Sequence, residues 1–355
     1  MTQRPVGKVQ TVLGPIDAEE LGVTLPHEHL IIDSSCDFVD PPTASDRLLA
    51  RRPVSLENLR WVRYRTRYSI DNQQLLDEQI AVEELMLFKA AGGKTLVELT
   101  STGLGRDPMA LARISRATGI NVIMGSGYYI ADSLDAEAEG KTEEQMANEI
   151  VSDIRVGVGR SGICSGIIGE IGCSWPLRDI ERKSLHAAAY AQQQTGVAIN
   201  VHPSRNENGP LEVIEVLGQA GALLSRVAIS HMDRCGYLLE TRLKILDAGC
   251  YVEYDSFGTE GYYPAEAALA DEHLPDMLND VGRIKEIAEL MDMGYLKQIL
   301  ISQDTCQKVM LARWGGHGYS HILENVVPLM RVYGYTEEQI HTLTIENPKD
   351  MLTID

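Results

Sequence analysis

Two histidines near the N-terminus are separated by one residue, in the segment Pro26-His27-Glu28-His29. Alternate residues of a β-strand point to the same face, so both imidazoles would face one side and could bind one metal ion. Histidines also pack as hydrogen-bonded core residues, and this spacing alone does not choose between the two roles. The choice depends on where other ligand-type residues lie.

Three further ligand-type residues end apolar, strand-like segments: His202 ends AINVH, His231 ends VAISH, and Asp304 ends ILISQD. The chain has nine histidines, and four of them lie at or near such strand ends, which chance placement explains poorly. Imidazoles combined with carboxylates, and without thiolates, favour a catalytic site for Zn²⁺ or a similar divalent cation.

A carboxylate lies inside an otherwise apolar strand candidate, the segment Gly166-Ile167-Ile168-Gly169-Glu170-Ile171. An unpaired charge in such a strand would be costly. Glu170 therefore predicts either a bound cation or a salt bridge to a buried Arg or Lys. If two metal ions are bound, Glu170 is the candidate bridge between them.

Short β-branched segments alternate with longer helical patterns from about residue 94 onwards. Eight strand candidates and eight helix candidates favour a closed (β/α)8 barrel of the α/β class, in which catalytic groups converge at the C-terminal ends of the strands. The strand candidates are residues 22–32, 94–100, 120–125, 165–171, 197–202, 226–231, 250–255 and 298–304. The helix candidates are residues 72–91, 108–118, 142–158, 178–195, 210–221, 236–248, 281–293 and 320–332.

Two segments lie outside this repeat. Residues 7–17 are predicted to form an N-terminal hairpin, and residues 33–71 form an insertion after the first strand. An insertion at the catalytic end of a barrel is usually a lid or an interface. The Arg- and Tyr-rich stretch 60–68 indicates either an anion site or a helix that faces solvent or a dimer partner. Because no low-complexity linker divides the chain, residues 1–355 are predicted to form a single domain.

The charge and the cysteines limit the partners and the compartment. Asp and Glu number 51 against 32 Lys and Arg, and the net charge of −19 argues against a nucleic-acid partner. The six cysteines contain no C-x-x-C pair and fit a reducing cytoplasm. No segment approaches the ~18 apolar residues of a membrane span, and the N-terminus has no signal sequence. We expect a soluble, cytoplasmic protein that acts on a small molecule.

The order of the candidate ligands resembles the amidohydrolase superfamily. The stretches VQTVLGPIDAEELGVTLPHEHL, GIIGEIGCSWP and WGGHGYSHILENVVPLM are similar to its phosphotriesterase-related branch. The resemblance implies a possible homodimer and two divalent metal ions with six ligands. These are His27, His29 and Asp304 for the more buried ion, His202 and His231 for the more exposed ion, and Glu170 as the bridge. The best-known phosphotriesterases bridge their metals with a carboxylated lysine, so Glu170 puts the phosphotriester substrate in doubt and not the metal site.

The mechanism follows from the charge of such a site. Two dications leave a positive centre that lowers the pKa of a bridging water, and one zinc ion already brings this pKa to about 7. The bridging hydroxide would attack the substrate, and Asp304 would carry the proton to the leaving group. Asp233 is predicted either to assist this relay or to cap the following helix. Zn²⁺ is the first candidate, and Mn²⁺, Co²⁺ and Fe²⁺ fit the same ligands.

Aromatic and cationic residues follow several strand candidates and would surround the mouth of the barrel. Such a wall suits a small acyl compound with an anionic group, although loop aromatics often only pack on each other. The predicted substrate contacts are Tyr128, Trp175 and Arg205, and Tyr129, Tyr262 and Tyr263 lie in similar positions. Glu98 is predicted either to support a ligand or to pair within the core. His317 and His321 are predicted either to contact substrate or to bond within a turn.

The function predicted is hydrolysis of a carboxylic bond. The bond is either the amide of an N-acylated amine or amino acid, or an ester or lactone, and the resemblance favours the amide. Phosphotriester hydrolysis would be a promiscuous activity. The alternative from another class is a non-catalytic small-molecule-binding barrel, which predicts that at least one ligand is substituted, whereas all six are present.

Overall fold

The computed structural model describes residues 6–234, 236–260 and 277–354. Eight parallel strands form one sheet in it, and neighbouring strands follow one another in chain order. The sheet closes where the last strand meets the first, since the Asp304 N–H donates to the His27 carbonyl at 3.2 Å. The (β/α)8 barrel predicted from the sequence is confirmed.

Each of the eight strand candidates overlaps one barrel strand. The strands are β1 (Lys8–Thr11), β2 (Gly14–Asp17), β3 (Thr24–Glu28), β4 (Ile32–Asp33), β5 (Gln74–Leu75), β6 (Thr95–Glu98), β7 (Asn121–Ser126), β8 (Ile167–Gly172), β9 (Ile199–His202), β10 (Val227–Ile229), β11 (Tyr251–Tyr254) and β12 (Ile299–Ile301). The barrel consists of β3 and β6 to β12.

Helices connect the strands and follow the last of them. They are α1 (Ala44–Ala50), α2 (Leu59–Arg63), α3 (Glu78–Ala90), α4 (Pro108–Thr118), α5 (Ala136–Glu139), α6 (Glu143–Arg155), α7 (Asp179–Thr195), α8 (Gly209–Gln219), α9 (Leu239–Asp247), α10 (Asp280–Asp292), α11 (Val327–Val332), α12 (Glu337–His341) and α13 (Asn347–Leu352). None of the helices in the described ranges has the length and apolar composition that crossing a bilayer requires.

The strands are buried on both faces, and this explains their continuous apolar sequence. Residues that alternate along the strands, such as Val97, Ile123 and Leu300, form one apolar cluster with residues of the N-terminal segment and α13. A larger cluster joins the other face of the strands to the helices. The barrel interior is therefore a packed core, and the polar side chains are concentrated at its C-terminal end.

The two ends of the barrel are built from different segments. At the N-terminal end of the strands, β1 and β2 form an antiparallel hairpin, and the Gly7 N–H donates to the Ile354 carbonyl at 2.8 Å. At the C-terminal end, the segment 33–71 carries α1 and α2 and contributes Arg63, Thr66 and Arg67 to the wall of a cavity. Different segments therefore cover the C-terminal end of the barrel, which we call the rim, and its N-terminal end, which we call the floor.

Candidate metal centre

The six predicted ligands lie at the C-terminal ends of five barrel strands. We call them the central cluster: His27 and His29 at the end of β3, Glu170 in β8, His202 at the end of β9, His231 after β10 and Asp304 after β12. The structure brings all six together. His231 and Asp304 adopt left-handed backbone conformations, with φ of 59° and 48°, which non-glycine residues rarely hold outside sites that constrain them.

Glu170 is the member of the central cluster that approaches all four imidazoles. Its Oε2 lies 2.9 Å from His202 Nδ1, 3.6 Å from His231 Nε2 and 3.7 Å from His27 Nε2. Its Oε1 lies 3.5 Å from His29 Nε2. One buried carboxylate shared by two pairs of imidazoles is the arrangement that a bridging ligand of two cations requires.

Asp304 is the second carboxylate that approaches His27 and His29. Its Oδ1 lies 3.3 Å from His29 Nε2 and 3.8 Å from His27 Nε2. Its Oδ2 lies 3.5 Å from the Arg234 guanidinium. The carboxylate therefore reaches both the imidazoles and the open side of the site.

Three of the imidazoles are oriented by a bond at Nδ1. The partners of Nδ1 are Glu253 at 3.1 Å for His27, Thr100 at 2.9 Å for His29 and Asp255 at 2.8 Å for His231. The Thr100 hydroxyl in turn donates to Glu98 at 2.6 Å. Such partners leave Nε2 directed at the centre, as in histidines that bind metals. His202 has the opposite orientation, with Nδ1 on Glu170 and Nε2 3.3 Å from Arg234.

The donor set of the central cluster fits a divalent cation. His27 Nε2 is buried and has no hydrogen-bond partner among the described residues. The ligand atoms of His27, His29 and Asp304 lie within 4.8 Å of one another, and so do those of His27, Glu170 and His231. Buried polar atoms without partners are rare unless an ion or a ligand completes them, so these imidazole and carboxylate atoms suit Zn²⁺ or a similar ion.

The charges of the central cluster favour the same conclusion. Burial alone would raise the pKa values of Glu170 and Asp304, but the neighbouring imidazoles hold both well below the usual range. Burial also lowers the pKa values of His202 and His231. Burial also opposes protonation of His27 and His29, but the carboxylates around them raise their pKa values. Two charged carboxylates therefore lie among four imidazoles, and a divalent cation binds such a set by displacing the imidazole protons.

Asp233 lies apart from the central cluster. It is fully buried, and its Oδ2 accepts hydrogen bonds from Arg283 Nε at 2.6 Å and from the Ser256 N–H at 3.0 Å. These bonds join it to α10 and to the loop after β11, and it does not cap α9. Its role in a proton relay stays a prediction.

A cavity of about 1060 Å³ opens above the central cluster. Trp175 and Arg205 line it, as does Tyr129, whose ring centroid lies 5.0 Å from that of His202. The structure does not bring Tyr128 to this cavity, because its hydroxyl donates to Glu149 on α6 at 2.9 Å. Adjacent residues at a strand end point to opposite sides. Tyr129 therefore faces the central cluster, and Tyr128 points away from it. Tyr262 and Tyr263 lie outside the described residues.

Sequence reasoning missed Glu253, Asp255 and Arg234. The two carboxylates alternate in the strand segment Tyr251-Val252-Glu253-Tyr254-Asp255 and are both buried. They carry the same signal that singled out Glu170, namely a charge in an apolar strand. Arg234 lies in a loop three residues after His231, and no periodic pattern there indicates that its side chain turns back over the site.

Comparison with known proteins identifies the family of the chain. The sequence pattern of the phosphotriesterase family matches residues 7–352. An N-acetyltaurine hydrolase of Dictyostelium discoideum is 40% identical over 100% of both chains. Another N-acetyltaurine hydrolase, of Bos taurus, is 43% identical over 98% of both chains.

Solved structures agree with these sequence relationships. A resiniferatoxin-binding protein from Rhodobacter sphaeroides has a TM-score of 0.91 and 34% identity, with 98% of this chain and 95% of that chain covered. A phosphotriesterase homology protein from Escherichia coli, whose structure holds phosphate in its active site, has a TM-score of 0.76 and 27% identity over 94% and 99% of the two chains. The chain therefore belongs to the phosphotriesterase family, and it is a hydrolase of amide, ester or lactone bonds.

Proposed function

We propose that this chain hydrolyses the amide bond of a small N-acylated amine, with N-acetyltaurine as the first substrate to test. The support is the 40% and 43% identity, over 98% or more of both chains, to relatives named N-acetyltaurine hydrolase. Ester and lactone bonds are the alternative, since they undergo the same attack at a carbonyl carbon.

We assign two divalent cations to the central cluster. His27, His29 and Asp304 would hold the more buried ion, His202 and His231 the more exposed ion, and Glu170 would bridge them. The observation that carries the proposal is the buried His27 Nε2, which has no hydrogen-bond partner in the described ranges although it faces Glu170 and Asp304. When bound, such cations polarise a carbonyl oxygen and lower the pKa of water. Zn²⁺ is the first candidate, and Mn²⁺, Co²⁺ and Fe²⁺ accept the same ligands.

Asp304 is the proposed proton carrier. Burial opposes its ionisation, but the neighbouring imidazoles lower its pKa enough to keep the carboxylate charged at neutral pH. It would accept the proton of the attacking water and donate it to the leaving amine nitrogen. Asp233 is a proposed further member of this relay, because its Oδ2 accepts from the backbone of Ser256, a residue of the cavity wall.

Side-by-side assays test the bond specificity. The Zn²⁺-loaded enzyme is given N-acetyltaurine, an aliphatic lactone and a paraoxon-type phosphotriester, and kcat/KM is measured for each. We expect the highest value for the amide. A higher kcat/KM for the lactone would show that the lactone, and not the amide, is the preferred bond. Turnover confined to the phosphotriester would contradict the proposal.

We further propose a cytoplasmic location and a homodimer. The thiols of Cys36, Cys164, Cys173, Cys250 and Cys306 are free, which suits a reducing compartment. Cell fractionation tests the location. Light scattering on the purified protein tests the dimer, and a mass equal to one chain would contradict it.

A further inference from the structure

Glu28 lies between the two histidines of the H-x-H segment, but its carboxylate contacts the segment that follows β12. The side chain is fully buried at the end of β3. Its Oε1 accepts a hydrogen bond from the Gln303 N–H at 2.9 Å, and its Oε2 accepts one from the Thr305 N–H at 2.9 Å. The two oxygens of one carboxylate therefore hold the backbone on both sides of Asp304.

The backbone of Asp304 has a conformation that needs such support. Its φ of 48° is left-handed, and a non-glycine residue keeps this conformation only where its surroundings hold it. The Asp304 N–H itself donates to the His27 carbonyl at 3.2 Å. Three successive N–H groups, those of residues 303–305, thus donate to the segment His27-Glu28. The direction in which the Asp304 side chain leaves the backbone is therefore set by β3.

Ser302 joins the same two segments one residue earlier. Its hydroxyl oxygen accepts from the His27 N–H at 3.1 Å and lies 2.8 Å from Glu28 Oε1. At the other end of this network, Asp304 Oδ1 lies 3.3 Å from His29 Nε2. The contacts therefore lead from a carboxylate outside the central cluster to a carboxylate that belongs to it.

A second buried carboxylate holds the same loop in the same way and provides a comparison. Glu84 accepts from the Ala312 N–H at 2.9 Å and from the Arg313 N–H at 2.8 Å. Both carboxylates satisfy their oxygens with backbone donors, as a buried acidic group must. Glu28 differs from Glu84 because the backbone that it holds carries Asp304.

We propose that Glu28 is a positioning residue for the hydrolysis, which holds Asp304 in the orientation that lets its carboxylate meet the imidazoles and deliver a proton to the leaving group. The inference rests on the proposed function, in which Asp304 carries the proton, and deepens it. Because Glu28 acts through Asp304, its loss should lower kcat and leave KM unchanged. A substrate whose leaving group departs without a proton should be less affected.

An isosteric variant tests the proposal. Glu28→Gln keeps the shape and one acceptor oxygen, so it supports the backbone on one side of Asp304, and Glu28→Ala removes both acceptors. Glu84→Gln is the matched control in the same loop. N-acetyltaurine and p-nitrophenyl acetate are compared at saturating zinc, and bound zinc is measured for every variant.

We expect Glu28→Gln to lower kcat for the amide about 10- to 100-fold with KM unchanged. The loss on the p-nitrophenyl ester should be much smaller, because p-nitrophenolate leaves without a proton. Glu28→Ala should lose more than Glu28→Gln, and Glu84→Gln should keep the kcat of the wild type. An equal loss on the amide and the ester would overturn the inference, because the effect would not depend on the proton that Asp304 delivers.

The visible absorption spectrum of the Co²⁺-loaded protein is a readout that does not depend on turnover, since it reports the geometry of the ligands. We expect the spectrum of Glu28→Gln to differ from that of the wild type, and the spectrum of Glu84→Gln to match it. If no amide is hydrolysed, the proposed function fails, yet a spectral change confined to Glu28→Gln still supports the positioning of Asp304. A wild-type spectrum in Glu28→Gln would overturn the inference, whichever bond the enzyme cleaves.

Discussion

At the scale of single residues, metal binding should depend on the carboxylates that orient the imidazoles as well as on those that would bind the metal. Glu253 Oε2 accepts from His27 Nδ1 at 3.1 Å, from Asn200 Nδ2 at 2.7 Å and from the Ser230 hydroxyl at 2.8 Å. This network fixes the ring of His27 so that Nε2 faces Glu170. Metal affinity should therefore depend on a residue that does not touch the metal.

We predict that Glu253→Ala weakens zinc binding by about 10- to 100-fold, because the ring of His27 loses its orienting partner. Competition with a chromogenic chelator measures the affinity. Glu84→Ala is the matched control, since this buried carboxylate accepts from the Ala312 and Arg313 N–H groups. Its loss should reduce stability without changing zinc affinity. Equal zinc affinity in Glu253→Ala and the wild type would contradict the prediction.

His317 gives the protein a pH-dependent stability. Burial, reinforced by the neighbouring His321, lowers its pKa from 6.5 to about 4. Above pH 6.5 the residue is neutral in both the folded and the unfolded chain and contributes no pH dependence. As the pH falls from about 6.5 to about 4, His317 becomes protonated in the unfolded chain but stays neutral in the folded chain, so the free energy of unfolding decreases.

We predict that His317→Gln reduces this acid sensitivity. Over that interval the wild type should lose up to about 3 kcal/mol more unfolding free energy than the variant. Urea unfolding of both zinc-loaded proteins at the two ends of the interval measures the difference. Identical pH dependence of the two proteins would show that His317 does not contribute.

At the scale of elements, the insertion 33–71 is fixed to the loop after β12 by the residue that follows it. Asn72 is fully buried, its Oδ1 accepts from the Val309 N–H at 3.1 Å, and its Nδ2 donates to Gln307 at 3.2 Å. Gln307 and Met310 of that loop line the cavity. The insertion therefore helps to shape the wall that the substrate meets.

We predict that Asn72→Ala lowers the unfolding free energy by about 1–3 kcal/mol, because the buried Val309 N–H loses its acceptor. It should also raise KM, with zinc content unchanged. The matched control is Asn58→Ala, since Asn58 bonds to Pro53 and Ser55 within the insertion and should affect stability alone. An unchanged KM in Asn72→Ala would contradict a role of the insertion in the cavity.

The elements could be predicted because their signals are local. β-branched runs ending in His202, His231 and Asp304 indicated both the strands and the side chains at their ends, and every strand candidate overlaps a barrel strand. The choice between Tyr128 and Tyr129 was not local, since it depends on how the chain leaves β7. Arg234 was missed for the same reason, because a left-handed residue in a loop sets its direction.

At the scale of the whole molecule, the chain separates a stabilising floor from a reactive rim, as barrel enzymes do. The buried Arg226, immediately before β10, donates to the Met351 carbonyl at 2.9 Å and so joins the N-terminal end of the barrel to α13. The central cluster lies at the other end of the same strands. The predicted hydrolysis of amide, ester or lactone bonds is confirmed by the family and its relatives. The metal and the substrate are proposals, and both depend on the residues at the rim.

The central claim is that the central cluster binds two divalent ions through Glu170. Mass spectrometry of the intact protein, with elemental analysis of the same sample, counts the ions in the wild type, in Glu170→Gln and in the control Glu84→Gln. We expect two ions per chain in the wild type and the control, and at most one ion and no activity in Glu170→Gln. A chelator-treated, ion-free protein that keeps full activity would contradict the claim.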